Sequence, residues 1–169
     1  KYDLVAVEKV TDRGALLINM DSQIPNDAVA EWLPVSGLFS ESAVIRREHT
    51  FGKSRFDFFV QDADKKAFIE VKGVTLENDG VVSFPDAPTE RGVKHLRGLQ
   101  RAVEQGYRAA VFFVIQMEGV KYLHPNDLTD KPFGDALREA KNAGVEIMAY
   151  DCKITVDAMK IREKIDVKL

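Results

Sequence analysis

The amino-acid sequence predicts an α/β domain built on a mixed β-sheet flanked by helices, and three observations carry that prediction. Between Ala43 and Gly73 apolar residues recur at every second position in three consecutive runs, the mark of half-buried strands. From Glu90 onward the period becomes that of a helix, and helix-like and strand-like segments alternate, as parallel pairing requires. The run "RAAVFFVIQ", Arg108 to Gln116, is apolar on both faces, as befits a central strand covered on both sides.

The first segments, "YDLVAVEKV" and "GALLINM", read as two short strands separated by the turn signal at Asp12, Arg13 and Gly14. "IPNDAVAEWL" reads as a short helix with Asn26 as its N-cap and an apolar stripe of Ala28, Val29, Trp32 and Leu33, ending near Pro34 to Gly37. Next, "AVIRREHTF", "SRFDFFV" and "AFIEVKG" form an antiparallel meander, its last two strands joined by the polar turn "QDADKK". "VVSF" adds a strand end before "PDAPT" halts the sheet. Thr89 then caps a helix from Glu90 to about Gln105, with Val93, Leu96, Leu99 and Val103 as its buried face. "KPFGDALREAKNAG" is the next helix, with Pro132 near its first turn and Gly144 at its C-terminal cap, and it leads into the strand "VEIMAY". The chain has no internal repeat and no low-complexity tract.

At 169 residues and 45% hydrophobic, the chain has the size of one ordinary domain with a real core. Its 24 Lys and Arg against 27 Asp and Glu give a net charge of -3, so any nucleic-acid surface must be a local patch. Cys152 is the only cysteine, which excludes an intrachain disulfide and a cysteine-built zinc site and fits a reducing, cytoplasmic compartment. The apolar run "AAVFFVI" is far shorter than the ~20 residues of a transmembrane helix, and no signal-peptide pattern opens the chain, so a soluble protein without a membrane partner is expected.

The stretch "FIEVKG" raises the chemical question. In a strand, Phe68, Glu70 and Lys72 share one face, and Ile69, Val71 and Gly73 the other. On the neighbouring strand, alternation puts Asp57 on the face of Arg55 and Phe59. If the polar faces coincide, Asp57, Glu70 and Lys72 converge on one spot. Two carboxylates repel there unless a divalent cation sits between them. Bound Mg²⁺ polarises a phosphodiester oxygen and acidifies a coordinated water, and Lys72 would orient that water or oppose charge growing on the phosphate. A hairpin with one wet face and an ordinary Asp57–Lys72 surface pair would give the same alternation. The aromatic neighbours Phe56, Phe58 and Phe59 favour the site, because such surroundings make an unpaired carboxylate costly.

The segments "SRFDFFV", "FIEVKGVTL", "FPDAPTERGVKHL" and "GVEIMAY" resemble the sugar fermentation stimulation protein (SfsA) family, and the similarity runs from about Tyr2 to the final "DVKL". This resemblance implies a restriction-endonuclease-like PD-(D/E)xK core, with Asp57 as the first acid and Glu70, Val71 and Lys72 as the second motif. Catalysis would then fall to Asp57, Glu70 and Lys72, and Mg²⁺ or Mn²⁺ to Asp57, Glu70 and Val71. DNA is the implied partner, and the activity a Mg²⁺-dependent phosphodiester hydrolase, or else a non-catalytic DNA-binding regulator of sugar (maltose) metabolism. The number of subunits stays open, a homodimer included. Family members carry an amino-terminal OB-like domain, so residues 1–20 are expected to be strands linking to it and residues 21–169 the nuclease-like domain. Two departures stand out: Gly73 where Ser is frequent, and Met117 where an Arg commonly follows the Gln, which removes one phosphate contact.

Because the family motif embeds Arg91, Lys94 and His95 just after the site, they are expected to line the phosphate approach. Lys94, Arg97 and Arg101 cluster opposite the apolar face of their helix, where a solvated surface is the ordinary reading. Arg46, Arg47, His49, Lys53 and Arg55 form a second basic cluster, from which Arg47 and Arg55 are assigned to nucleic acid, although alternation splits the cluster between faces. Glu31, Glu41 and Glu48 are further acids that a nuclease of this fold can recruit, with solvation the ordinary reading of each. Asp86 is expected to fix its turn through backbone amides. No nucleophilic triad and no glycine-rich phosphate loop is in view.

Overall fold

A computed structural model describes residues 5–169, so the Tyr2 to Leu4 part of the first expected strand lies outside the described residues. β1 (Ala6–Thr11) and β2 (Gly14–Asn19) pair antiparallel as a sheet of their own. α1 (Ile24–Trp32) runs into a single 3-10 turn at Leu33–Val35. Asn26 is not its cap: the helix begins earlier, with Gln23 at the N-cap position and Pro25 in the first turn. Proline's fixed φ and missing amide suit that turn, which releases the Asn26 side chain for another task.

The expected meander is β3 (Val44–Phe51), β4 (Ser54–Asp62) and β5 (Lys65–Val74). After it come β6 (Leu76–Asn78), β7 (Val81–Phe84), α2 (Glu90–Glu104), β8 (Arg108–Ile115), β9 (Tyr122–Pro125), α3 (Asp127–Asn142), β10 (Glu146–Ile154) and β11 (Met159–Lys164). The main sheet has the order β11-β10-β8-β5-β4-β3, and β6-β7-β9 form a smaller one. β5, β8 and β10 are parallel neighbours, while β3, β4 and β11 join antiparallel at the flanks. The mixed sheet flanked by helices is therefore as the sequence predicts.

The two-sided apolar character of β8 has a direct cause. Val111, Phe113 and Ile115 pack in one core layer with Leu96 and Leu99 of α2 and Leu137 of α3. Ala110, Phe112 and Val114 pack in the other with Val29 of α1 and Leu33. Each face of the central strand is thus removed from water by a different helix layer, which is the main favourable term in its placement.

α2 is capped by Thr89, whose hydroxyl accepts the Gly92 amide at 2.9 Å. Its buried stripe is rotated from the expected one: Leu96 and Leu99 are buried, Val93 and Val103 sit half-buried at the rim, and Gly92, His95, Gly98 and Ala102 complete the face. Small residues explain the rotation. A Cβ on Gly98 would lie 2.6 Å from the Ser54 hydroxyl, so only glycine lets the helix approach the start of β4 this closely. That approach brings His95 to the sheet.

α3 is interrupted at Asp130, whose backbone is extended (φ -149°, ψ 80°). One carboxylate oxygen accepts the Phe133 amide at 3.0 Å and the other the Thr89 amide at 2.7 Å. Asp130 therefore caps the main body of α3 and holds the residue that caps α2. Among the described residues no helix is long and apolar enough to cross a membrane.

Candidate functional site

β4 and β5 pair regularly from Asp62↔Lys65 to Phe58↔Ile69, and no pairing is found beyond that point. Where the strands part, the Val71 amide would lack a partner, and a side chain supplies one: Asp57 Oδ2 accepts it at 2.7 Å. Asn26 Nδ2 reaches from α1 to donate to Asp57 Oδ1 at 2.9 Å. Strict alternation fails here. Phe56 and Phe59 lie in the same core layer, and Phe58 in the opposite one. The facing strand is irregular at the same level: Glu48 (φ +56°) falls unpaired between Arg47↔Phe58 and His49↔Phe56, although the register is kept. Asp57 thus sits at a fork between strands and does not share a simple face with Arg55 and Phe59.

Glu70, 3% exposed, faces α2. Its Oε1 accepts from Lys72 Nζ at 2.7 Å and from His95 Nδ1, and Lys72 Nζ lies 3.4 Å from that ring nitrogen. Its Oε2 is buried without any hydrogen-bond partner. The two acids behave differently. Burial, reinforced by the nearby charge of Glu70, raises the Asp57 carboxyl above its ordinary value, with the Val71 amide and Asn26 offsetting part of the rise. Burial also pushes Glu70 upward, but the His95 hydrogen bond and the Lys72 charge outweigh it, and its carboxyl lies below the ordinary value.

Mg²⁺ binds through one or two carboxylates and retained waters, so a cation here needs few protein ligands. Asp57, Glu70 and the carbonyl of Val71 fit that requirement in donor chemistry, and Glu70 Oε2 is a buried oxygen without a partner. A bonded carboxylate oxygen still has a lone pair to give, so the Asp57 hydrogen bonds do not exclude it. Among the described residues no group of three or more His, Cys, Asp or Glu gathers around a common point, which disfavours a zinc-type site. Cys152 is buried and its thiol is pushed up to about 12 by burial and by Asp151, which removes it as a nucleophile.

The surrounding residues divide. Arg91 and Lys94 are exposed on α2. His95 is not on the phosphate approach: it is 6% exposed and turned inward onto Glu70. Arg47 is paired with Asp27 at 2.8 Å, and Arg55 with Glu48, both on the exposed surface. Glu31 and Glu41 are exposed, as is Glu48. Met117 is fully buried in the core, so in this chain that position does not face a phosphate. Asp86 is exposed and accepts no hydrogen bond among the described residues; its turn is held instead by Asn126 Nδ2, which donates to the Pro85 carbonyl at 3.0 Å.

Two residues of the site were not legible as such. Asn26 carries a cap-like sequence context that hid its contact with Asp57. Gln116, buried at the end of β8, donates through Nε2 to the carbonyls of Asn19 (3.0 Å) and Asp21 (2.9 Å), and so pins the segment that leads into α1. Gly73 makes room for it, since a Cβ there would lie 2.4 Å from Gln116 Oε1. A buried amide directly after an apolar run was the available signal. Replacing Asn26 by Ala is expected to raise the Asp57 carboxyl further in the metal-free chain, because a hydrogen bond to its ionised form is lost. A carboxyl-carbon NMR titration measures this; an unchanged or lowered value would contradict it.

Residues 23–158 match the family profile described as "Sugar fermentation stimulation protein RE domain". The chain is 53% identical over 169 residues to a "Sugar fermentation stimulation protein homolog" of Desulfitobacterium hafniense (strain Y51), covering 100% of this chain and 72% of that protein. A protein of the same description from Clostridium beijerinckii is 51% identical over 169 residues, covering 100% and 73%. Among solved structures, "The structure of Pyrococcus Furiosus SfsA in complex with Ca2+" superposes with a TM-score of 0.81 at 23% identity, over 97% of this chain and 77% of that one. At that identity the likeness establishes the fold.

Proposed function

The chain belongs to the sugar fermentation stimulation protein family, and from that premise we propose that it is a Mg²⁺- or Mn²⁺-dependent phosphodiester hydrolase acting on DNA through a PD-(D/E)xK core. One observation carries this reading: the buried carboxylate of Glu70 takes all its hydrogen bonds on one oxygen and leaves the other bare, beside a second carboxylate at a strand fork. The solved relative from Pyrococcus furiosus is a complex with Ca²⁺, which supports a divalent ion on this fold.

Asp57, Glu70 and the Val71 carbonyl would hold the cation, which when bound polarises a phosphoryl oxygen and acidifies a water. The chain's own groups prepare that event. The Val71 amide and Asn26 fix the Asp57 carboxylate, and His95 fixes Glu70 Oε1, so neither acid must reorganise. Lys72 spends one of its three N–H donors on Glu70, leaving donors to orient a water or to oppose charge on the phosphate.

Supercoiled plasmid incubated with Mg²⁺ or Mn²⁺ tests the reading. Nicking by the parent chain, abolished by chelator and by Asp57→Ala, Glu70→Ala and Lys72→Ala, supports the hydrolase. A second reading has its own observation: no third acid joins the pair among the described residues, and Lys72 rests on Glu70 as in a structural ion pair. A DNA-binding regulator of sugar metabolism would use the same fold without chemistry. DNA binding that survives chelator and all three substitutions, with no nicking, selects it.

A further inference from the structure

α2 separates two kinds of surface. His95 faces the carboxylates from its inner side, whereas the next residue back, Lys94, faces outward. There the outer side of α2 and the β3–β4 turn enclose an open groove of about 1030 Å³, with Lys53, Lys94, Arg97 and Arg101 along it and Phe51 and Val93 in its apolar lining. Glu90 is the one acid among the lining residues.

What sets this groove apart is that several cations share one concavity, whereas a number of the arginines elsewhere are held in ion pairs. Arg47, Arg55, Arg108, Arg138 and Arg162 are each matched to a carboxylate. None of the four groove cations has an ion pair among the described residues. In a chain of net charge -3, four neighbouring cations without partners concentrate a positive field in one concavity, and their mutual repulsion is relieved by an external anion.

Spacing identifies the kind of anion. Lys94, Arg97 and Arg101 follow one another along about 10 Å of helix axis. A DNA strand carries a regular row of phosphates, so a row of three cations of this length meets more than one of them at once. A single phosphate would answer one or two of these cations and leave the rest unpaired. We propose that this groove grips the sugar-phosphate backbone of duplex DNA, in a segment flanking the one presented to the carboxylates. The inference rests on the nucleic-acid reading above and adds where the duplex is held.

Fluorescence anisotropy with a labelled DNA duplex, in chelator and over roughly 50 to 200 mM salt, tests it. The full chain carrying Lys53→Ala, Arg97→Ala and Arg101→Ala is expected to bind at least about tenfold more weakly at the lowest salt. Its slope of log affinity against log salt should be shallower by about two to three, close to 0.9 per lost phosphate contact. Lys153→Ala, Lys160→Ala and Lys164→Ala remove the same charge from the far edge of the main sheet and should leave both quantities unchanged. Thermal melts establish that both triple variants are folded. Equal binding by parent and groove variant overturns the groove alone, whereas a parent chain that binds no duplex overturns the DNA reading with it. Equal loss of binding to polyglutamate would assign the groove to an acidic protein and overturn the nucleic-acid assignment.

Discussion

Under the proposed mechanism, Glu70→Gln is expected to nick supercoiled plasmid in Mg²⁺ more slowly than the parent chain by on the order of a thousandfold. The substitution preserves shape and removes only the charge, so the effect isolates what the carboxylate does. Glutamine cannot offer an anionic oxygen where Oε2 now lies bare, and it leaves Lys72 without its counter-charge. Thermal melting adds a readout independent of turnover. Mn²⁺ at about a hundred times its dissociation constant stabilises a folded site by about 2.7 kcal/mol, worth roughly 5 to 10 °C for a chain of this size. The parent should gain that increment and Glu70→Gln should not. If both gain it equally, the cation does not sit on Glu70, and the metal-dependent mechanism fails at its first step.

Phe112→Ala is expected to cost about 3 to 5 kcal/mol, the largest single effect on stability. Phe112 is fully buried in the central strand, with Trp32 edge-on at 5.4 Å and Tyr150 stacked at 5.2 Å. Trp32 and Tyr150 keep each other at 4.8 Å but both lose this ring, and the β8 backbone prevents the space from closing, so transfer and cavity costs add. Urea unfolding should show a lower midpoint at unchanged slope, and the melting temperature should fall by on the order of 10 °C. A loss below about 1 kcal/mol would mean that α1 collapses onto the sheet and fills the space.

The sequence was most readable where one periodic signal ruled. The β3–β4–β5 meander, α2 with its Thr89 cap, and the doubly covered β8 all follow from the spacing of apolar residues. β6 and β9 did not, because three or four residues are too few to display a period. β11, "MKIREK", is a polar edge strand whose pairing with β10 is interrupted at Tyr150/Cys152. In the candidate site, the proximity of Glu70 and Lys72 was legible from strand geometry. The route by which Asp57 joins them was not, because it depends on a local irregularity at Glu48, opposite Asp57, that alternation cannot express. His95 was expected on the phosphate approach because the family motif embeds it beside Arg91 and Lys94, and a motif does not say which way a side chain turns; the close approach at Gly98 brings it inward.

The double duty of Asp130 carries a consequence for the candidate site. A single side chain latches the starts of two helices, so neither can fray at its first turn without loosening the other. α2 also bears the ring that steadies Glu70. A change at residue 130 that loosens the first turn of α2 is therefore expected to slacken the hold of His95 on the Glu70 carboxylate as well.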